Sequence, residues 1–386
     1  MKNIYLDNSA TSFPKAPNVG ESMLDYIKNI GCNVNRAVYT SSLAAENIIF
    51  ETRELICSLF NFNRPENVVF TKNITESLNL LIKGLLQKGD HVIVSSMEHN
   101  AVMRPLTSLT KNDIEISKVS CDIFGQLDIN NITKEIKSNT KAIIMTNASN
   151  VCGTILPLEK VGKLCEKNNL VFIIDSAQTA GFLDIDFEKT KADAIAFTGH
   201  KGLLGPQGIG GFLIKDSLIP KVHPFIEGGT GSLSEYETQP NYMPDKYESG
   251  TINIPGIYGL NSALKYINQL GLNSIREEEL FLTELFIKDI LNLDGVRLVG
   301  LDNINNRTAV ISLDFSKIDN AEVSLDLSNK YNIMTRCGLH CAPSAHKTLN
   351  TFPQGTVRFS FGHFNTKKEI TYTIDSINKI IKNISN

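Results

Sequence analysis

The 386-residue chain has almost no charge imbalance: 38 basic residues against 41 acidic ones leave a formal net charge of −3. No long block of like charge stands out, which argues against nucleic acid or an anionic membrane surface as a partner. No apolar run approaches the roughly 18 residues that a membrane-spanning helix needs. The opening Met1-Lys2-Asn3-Ile4-Tyr5-Leu6-Asp7 turns polar too early for a signal peptide. Seven cysteines, an odd number, are scattered without framework spacing, so reduced thiols are expected rather than a disulfide scaffold. Internal repeats and low-complexity tails are missing too. The expectation is a soluble cytoplasmic protein, long enough for about two domains.

From about residue 20 to 215, helical and strand patterns alternate. Strand-like runs are Val68-Val69-Phe70, His91 to Ser95, Ala142 to Thr146, Val171 to Ile174 and Ala194 to Phe197. Helical spacing occupies Leu43 to Phe60, Leu78 to Leu86 and Leu158 to Asn168 between them. Short apolar strands alternating with helices predict a mostly parallel sheet covered on both faces. Ligands of such sheets gather at the carboxyl ends of the strands. Pro224 to Pro255 is rich in Gly, Pro, Ser and Tyr with little periodicity, the mark of a functional loop region. Beyond it, Gly256 to Leu291 reads as helical with a break at Gly271. Val296 to Val299, Ala309 to Leu313 and Val357 to Phe361 are strand-like, and a helix follows from Lys367, giving a second, α+β domain.

Two strand ends carry the chemistry. Leu170 to Ile174 stops at Asp175-Ser176-Ala177-Gln178, and Ala194 to Phe197 stops at Thr198-Gly199-His200-Lys201. Alone, Asp175 could be a helix cap and Lys201 a solvated lysine. As a pair at neighbouring strand ends they are what pyridoxal 5'-phosphate (PLP) requires: an amine for a Schiff base and a carboxylate for the pyridine nitrogen.

With the glycine-rich Gly205-Pro206-Gln207-Gly208-Ile209-Gly210 that follows, these segments resemble the cysteine desulfurases of the class V aminotransferase family. The similarity runs from Ile4-Tyr5-Leu6-Asp7-Asn8-Ser9-Ala10-Thr11 to Val357-Arg358-Phe359-Ser360. Arg336-Cys337-Gly338-Leu339-His340-Cys341 looks like the short catalytic loop of the group II (Suf-type and selenocysteine lyase-like) branch. The resemblance implies an α/β protein of the PLP-dependent transferase fold type I. It implies a large domain, residues 15–258, with a mostly parallel seven-stranded sheet. A smaller α+β domain would comprise residues 1–14 and 259–386.

The resemblance also assigns roles. Lys201 carries PLP, Asp175 meets the pyridine nitrogen, His99 stacks on the ring and handles protons, and Gln178 bonds the phenolic oxygen. Thr198, His200, Thr75 and Glu76 hold the phosphate side, where a helix start suits an anion. Thr251 reaches the phosphate of a neighbouring subunit, implying a homodimer. Arg358 clamps the substrate carboxylate, a task that suits a guanidinium fork; Asn150 and Arg336 also contact substrate. Cys341 is the nucleophile, with Arg336 and His340 close enough in sequence to assist its thiolate. Cys337, His340, Cys341 and His346 could also be read as metal ligands, but zinc would occupy the thiolate that catalysis needs, and no metal is expected. The implied reaction turns L-cysteine into L-alanine, with a persulfide on Cys341 for transfer to an acceptor protein. Selenocysteine lyase, an aminotransferase and a low-turnover sulfur-transfer scaffold are the alternatives. In Gly31-Cys32-Asn33-Val34-Asn35-Arg36-Ala37-Val38-Tyr39, Val34 stands where the family has proline and Tyr39 where it has histidine, which leaves substrate entry and specificity open.

Overall fold

The structure, a computed structural model, describes residues 3–34 and 39–384. Thirteen strands are described: β1 Ile4–Tyr5, β2 Val68–Thr71, β3 His91–Ser95, β4 Glu115–Val119, β5 Thr140–Thr146, β6 Val171–Asp175, β7 Ala194–Thr198, β8 Gly210–Ile214, β9 Val296–Val299, β10 Val310–Phe315, β11 Ile333–Met334, β12 Arg336–Gly338 and β13 Thr356–Ser360.

Seven of them form the large sheet, in the order β2-β8-β7-β6-β5-β3-β4. It is parallel throughout except for β8, which runs antiparallel to β2 and β7. β3, β6 and β7 are buried along their whole length, as unbroken apolar runs covered on both faces must be. Ile93, Ile143, Phe172 and Ile195 join one core with Ile56, Val161 and Ile257 from helices Thr40–Leu59, Leu158–Asn168 and Ile254–Leu270. Val92, Ile144, Ile173 and Ala196 face the other way, onto Leu78 and Leu81 of helix Ile74–Leu85 and Val102 and Leu106 of helix Asn100–Leu109.

A second, antiparallel sheet has the order β12-β13-β10-β9. Its core gathers Ile311, Leu313 and Phe359 with Phe286 of helix Leu272–Ile290 and Ile377 of helix Lys367–Ile384. The break at Gly271 appears as expected, with φ +81° separating helices Ile254–Leu270 and Leu272–Ile290. β1 pairs with β11, so Leu6 belongs to this second core although it lies far from it in sequence. Helix Ile254–Leu270 runs across the expected 258/259 boundary, and its Leu260, Ala263 and Ile267 pack in the core of the large sheet.

β4 and β8 were not marked by the sequence pattern. β4 is an edge strand with two exposed, two half-buried and one buried residue, and β8 opens on Gly210-Gly211, which supply no side-chain signal. Adding a Cβ to Gly211 would place it 2.3 Å from the Val69 carbonyl oxygen and 2.7 Å from the Phe197 ring, so this strand position needs glycine. No helix among the described residues is long and apolar enough to cross a membrane.

Candidate active site

The ends of β6 and β7 deliver Asp175 and Lys201 to one place because the turns beyond them interlock. A Cβ on Gly181, which has φ +88°, would sit 2.2 Å from the Gly202 carbonyl oxygen. One on Gly202 would sit 2.5 Å from that of Ala180. Only two glycines allow this backbone approach, and it packs the turn beginning at Asp175 against the turn carrying Lys201. Asp175 is 2% exposed. Burial raises its pKa, against the Ala177 N–H (2.9 Å to Oδ1) and the Lys201 charge, which lower it. Burial lowers Lys201 to about 8; Asp175 and Asp7 oppose that shift, while Arg358 and Arg336 add to it. An amine that is partly neutral near pH 8 can form a covalent link or take a proton.

His99 caps helix Asn100–Leu109, its Nδ1 accepting from the Ala101 N–H at 3.0 Å. That bond leaves the ring proton on Nε2. Burial first, then Lys201, Arg358 and Arg104, lower its pKa to about 4, so the ring is neutral at neutral pH. Gln178 donates to the Ser9 carbonyl at 3.2 Å. His200 is lowered to about 4 by burial, Lys201 and Lys15. Its carbonyl accepts from Ser12 N at 2.9 Å and Lys15 Nζ at 2.9 Å, binding the chain's start to the Lys201 turn.

Thr198 Oγ1 and His200 Nδ1 are buried with no hydrogen-bond partner among the described residues. Buried polar groups are rarely left so, and two of them beside Lys201 and Asp175 fit a polar cofactor such as PLP. Thr75 is exposed in the first turn of helix Ile74–Leu85. The cap of that helix is Asn73, whose Oδ1 accepts from Glu76 N at 3.0 Å.

Glu98, which the sequence did not single out, lies between these groups and is fully buried. Its carboxylate accepts from Thr146 N at 2.9 and 3.1 Å and from Ser95 Oγ, tying the chain before His99 to the end of β5. Thr146 is the register partner of Asp175. Burial, with Asp175 adding to it, raises Glu98 to about 8 against these hydrogen bonds.

Arg358 is 3% exposed. Its Nη1 donates to the Asn150 carbonyl at 3.0 Å and its Nη2 to Asp7 Oδ1 at 3.0 Å. Arg336, its register partner on β12, reaches the same carboxylate with Nη2 at 2.8 Å. Asp7, placed between these two arginines, is the second residue of the site that the sequence did not single out. Asn150 also donates through Nδ2 to the His340 carbonyl at 2.7 Å, and its buried Oδ1 has no partner among the described residues.

The loop after β12 holds Cys341. Of the seven cysteines, Cys341 alone is exposed, Cys337 is half-buried and the other five are buried. His340 and Cys341 have φ +47° and +57°, two successive non-glycine residues in the left-handed region, a strained arrangement typical of functional loops. Arg336 and Arg358 both lie within electrostatic reach of Cys341. His340 does not serve the thiol as a cation. It is buried, held neutral by burial and Arg358, and its Nε2 bonds Thr356 Oγ1 at 3.0 Å. Cys337 has Asp319 among its electrostatic neighbours, and burial raises its pKa. Among the described residues, no three His, Cys, Asp or Glu side chains form a metal-holding group.

Thr251 is exposed, in the loop region that the structure leaves without regular elements between Lys221 and Ile254. Half-buried Glu248 anchors this segment, pairing with Arg53 at 2.8 Å and accepting from Phe70 N at 2.7 Å. Thr251 lines one cavity of about 500 Å³ with Val34, Phe50 and Arg53, and another of about 240 Å³ with Glu76 of its own chain. Val34 is buried and Tyr39 exposed; Asn35, Arg36, Ala37 and Val38 lie outside the described residues.

Known proteins share this architecture. The chain is 32% identical over 99% of its length to a probable cysteine desulfurase of Pyrococcus abyssi, of which 95% is covered. It superposes on the apo structure of a cysteine desulfurase from Thermococcus onnurineus NA1 with a TM-score of 0.92 and 32% identity, covering 99% of this chain and 95% of that one. The S-sulfonic acid form of the cysteine desulfurase CsdA from Escherichia coli gives 0.88 at 26% identity, covering 98% and 95%. The aminotransferase class-V profile matches residues 4–372, and the chain belongs to that family.

Proposed function

We propose that this protein is a PLP-dependent cysteine desulfurase that releases L-alanine and keeps the sulfur as a persulfide on Cys341. The observation that carries the reading is the single exposed thiol, held in a strained loop within reach of two arginines. An aminotransferase has no use for it.

Lys201, Asp175, His99, Gln178, Thr198, His200, Thr75 and Glu76 would hold the cofactor, with Thr251 contributed by a second copy. PLP, when bound, supplies an electron sink for the carbanion left when the substrate loses its α-proton. Arg358 binds the substrate carboxylate and Asn150 orients it. Lys201 Nζ takes the α-proton, because its lowered pKa keeps part of the amine neutral. His99, neutral with its proton on Nε2, can donate a hydrogen bond from that atom into the site. Cys341 Sγ, with Arg336 and Arg358 within electrostatic reach, attacks the substrate sulfur. The S–S bond forms as the substrate Cβ–S bond breaks, its electron pair staying on Cβ, which is then protonated to give the methyl group of alanine.

The short loop from Arg336 to Cys341, leading directly into helix Pro343–Thr348, supports the group II assignment. Exposed Leu43 and Phe50 on helix Thr40–Leu59, with Phe225, Ile226 and Leu233 on the loop region, support a homodimer. The acceptor protein, a cytoplasmic location and a division at 15–258 against 1–14 with 259–386, with helix Ile254–Leu270 carrying the large-sheet core across that line, belong to the same proposal. Purified, PLP-loaded protein is expected to give alanine and sulfur in equal amounts from L-cysteine. Pyruvate in place of alanine refutes the reading, and a strong preference for selenocysteine assigns the lyase alternative.

A further inference from the structure

Arg336 and Arg358 stand opposite each other on β12 and β13, and like charges so placed repel. Asp7 lies where both can reach it. Arg336 approaches its Oδ2 with Nη2 at 2.8 Å and Nε at 3.0 Å, and Arg358 approaches Oδ1 with Nη2 at 3.0 Å. The backbone fixes this position, since Leu6 N donates to Met334 O at 3.0 Å on one side and Ser360 N donates to Leu6 O at 2.8 Å on the other. Asp7 is 7% exposed and Arg358 3%, so water screens that pair weakly, whereas the Arg336 side chain is 51% exposed and its charge is felt less strongly.

Counting charges at this place gives a definite sum. Two arginines and one aspartate leave a single positive charge. Lys201 and Asp175 oppose each other, and His99, His340 and His346 are held neutral by burial. With Arg358 Nη1 and Nη2 engaged, its buried Nε has no partner among the described residues and is available to an anion.

We propose that Asp7 is the specificity-determining residue of the carboxylate pocket: it cancels one of two arginine charges, so the pocket admits a substrate with one carboxylate and disfavours one with two. The inference rests on the reading of Arg358 as the carboxylate holder. It goes beyond that reading by making substrate charge, not only shape, a property read by the N-terminal segment.

The test uses PLP-loaded enzyme turning over L-cysteine, with propionate and succinate as competitive inhibitors of one and two carboxylates. Asp7→Asn is expected to shift the ratio of their inhibition constants toward succinate by about tenfold. A unit charge roughly 6 Å away at an effective dielectric near 20 is worth about a hundredfold, and the second carboxylate lies farther off. Arg336→Met should shift the ratio the opposite way, and it carries the test if Asp7→Asn does not fold. The double variant should return to the wild-type ratio, and Asp7→Glu should keep it. An unchanged ratio in Asp7→Asn and Arg336→Met overturns the inference, because a merely structural Asp7 would weaken both inhibitors alike. Arg358→Ala separates the two levels. If propionate and succinate still inhibit that variant as they do the wild type, the carboxylate reading itself fails.

Discussion

The carbonyl oxygen of Cys341 accepts a 2.8 Å hydrogen bond from the backbone N–H of Asn100, the residue after His99. The loop of the proposed nucleophile is thereby fastened to the start of helix Asn100–Leu109, where orphan N–H groups and the positive helix end favour such an acceptor. Thiol and imidazole are held in register by main chain, which a side-chain substitution leaves in place.

That arrangement makes the thiol separable from the rest of the site. Cys341→Ser should keep the cofactor spectrum and its response to L-cysteine but lose protein persulfide formation by at least about a hundredfold. Cys337→Ser, in β12 just before that loop and with Asp319 among its electrostatic neighbours, should keep most activity. Mass spectrometry after persulfide-selective alkylation reads both. Persulfide on the Cys341→Ser protein would remove Cys341 from the mechanism.

Attachment of PLP to the cofactor-free enzyme should follow the state of the Lys201 amine. Its pKa of about 8 means that the reactive neutral form grows as pH rises and levels off above 8, well below the usual lysine range. Borohydride-reducible absorbance measured against pH gives the midpoint, and a midpoint near 10.5 contradicts the buried site. Lys201→Ala should show no reducible link at any pH.

Glu98 and the buried histidines predict opposite pH effects on stability. Glu98 is raised from 4.5 to about 8, so the native state holds its proton longer than the unfolded chain does. Its contribution is therefore present below 4.5 and is lost as pH rises toward 8. His99, His200 and His346 are lowered from 6.5 to about 4, so unfolding takes up protons and stability falls as pH drops between those values. Thermal melts should be highest in the middle of this range. Glu98→Gln should melt relatively higher against wild type at pH 8 than at pH 5; an equal difference at both would place no titration on Glu98.

Gly202→Ala should be costly for its size. The new methyl would meet the Ala180 carbonyl at 2.5 Å, and relieving that contact must push the Lys201 turn away from the Asp175 turn. A loss of about 1–3 kcal/mol is expected from such overpacking, with a shift of the cofactor band beyond what stability alone causes. Melting curves and absorbance spectra check it, and an unperturbed spectrum would show that the turns tolerate separation.

Assembly can be tested by complementation. If Thr251 serves a neighbouring subunit, Thr251→Ala should impair activity, and mixing it with Lys201→Ala should restore part, because a heterodimer contains one intact site. No recovery after demonstrated subunit exchange excludes a shared site. A fully active monomer by light scattering does so as well.

Much of this was legible in the chain. His91–Ser95, Val171–Asp175 and Ala194–Thr198 are buried on both faces and had to read as apolar runs, and their ends carried Asp175 and Lys201. Helices Leu158–Asn168 and Lys367–Ile384 showed their one-sided pattern plainly. The two-residue strands β1 and β11 carry no periodic signal, because two residues define no alternation. Asp7 carries no signal of its own in the sequence, since its partners Arg336 and Arg358 lie 329 and 351 positions away. Glu98 did leave a sign: a lone carboxylate shortly after the apolar Val92-Ile93-Val94 run, beside a candidate histidine, is a residue whose burial needs an explanation.

The same separation governs when the enzyme can exist during its own synthesis. Asp7 and Arg358 are 351 positions apart, and Leu6 is held between Met334 and Ser360. While a ribosome is still translating the large sheet, the segment from Ile4 to Ser12 has no strand to join, and the two arginines that pair with Asp7 do not yet exist. The large sheet can form early, from contacts made mostly among neighbouring βα units. Catalytic competence arrives only when β11 to β13 have emerged, so a nascent chain stalled before residue 333 holds Asp175 and Lys201 but lacks the thiol at position 341. Under the proposed mechanism, a half-made copy of this protein cannot release sulfur.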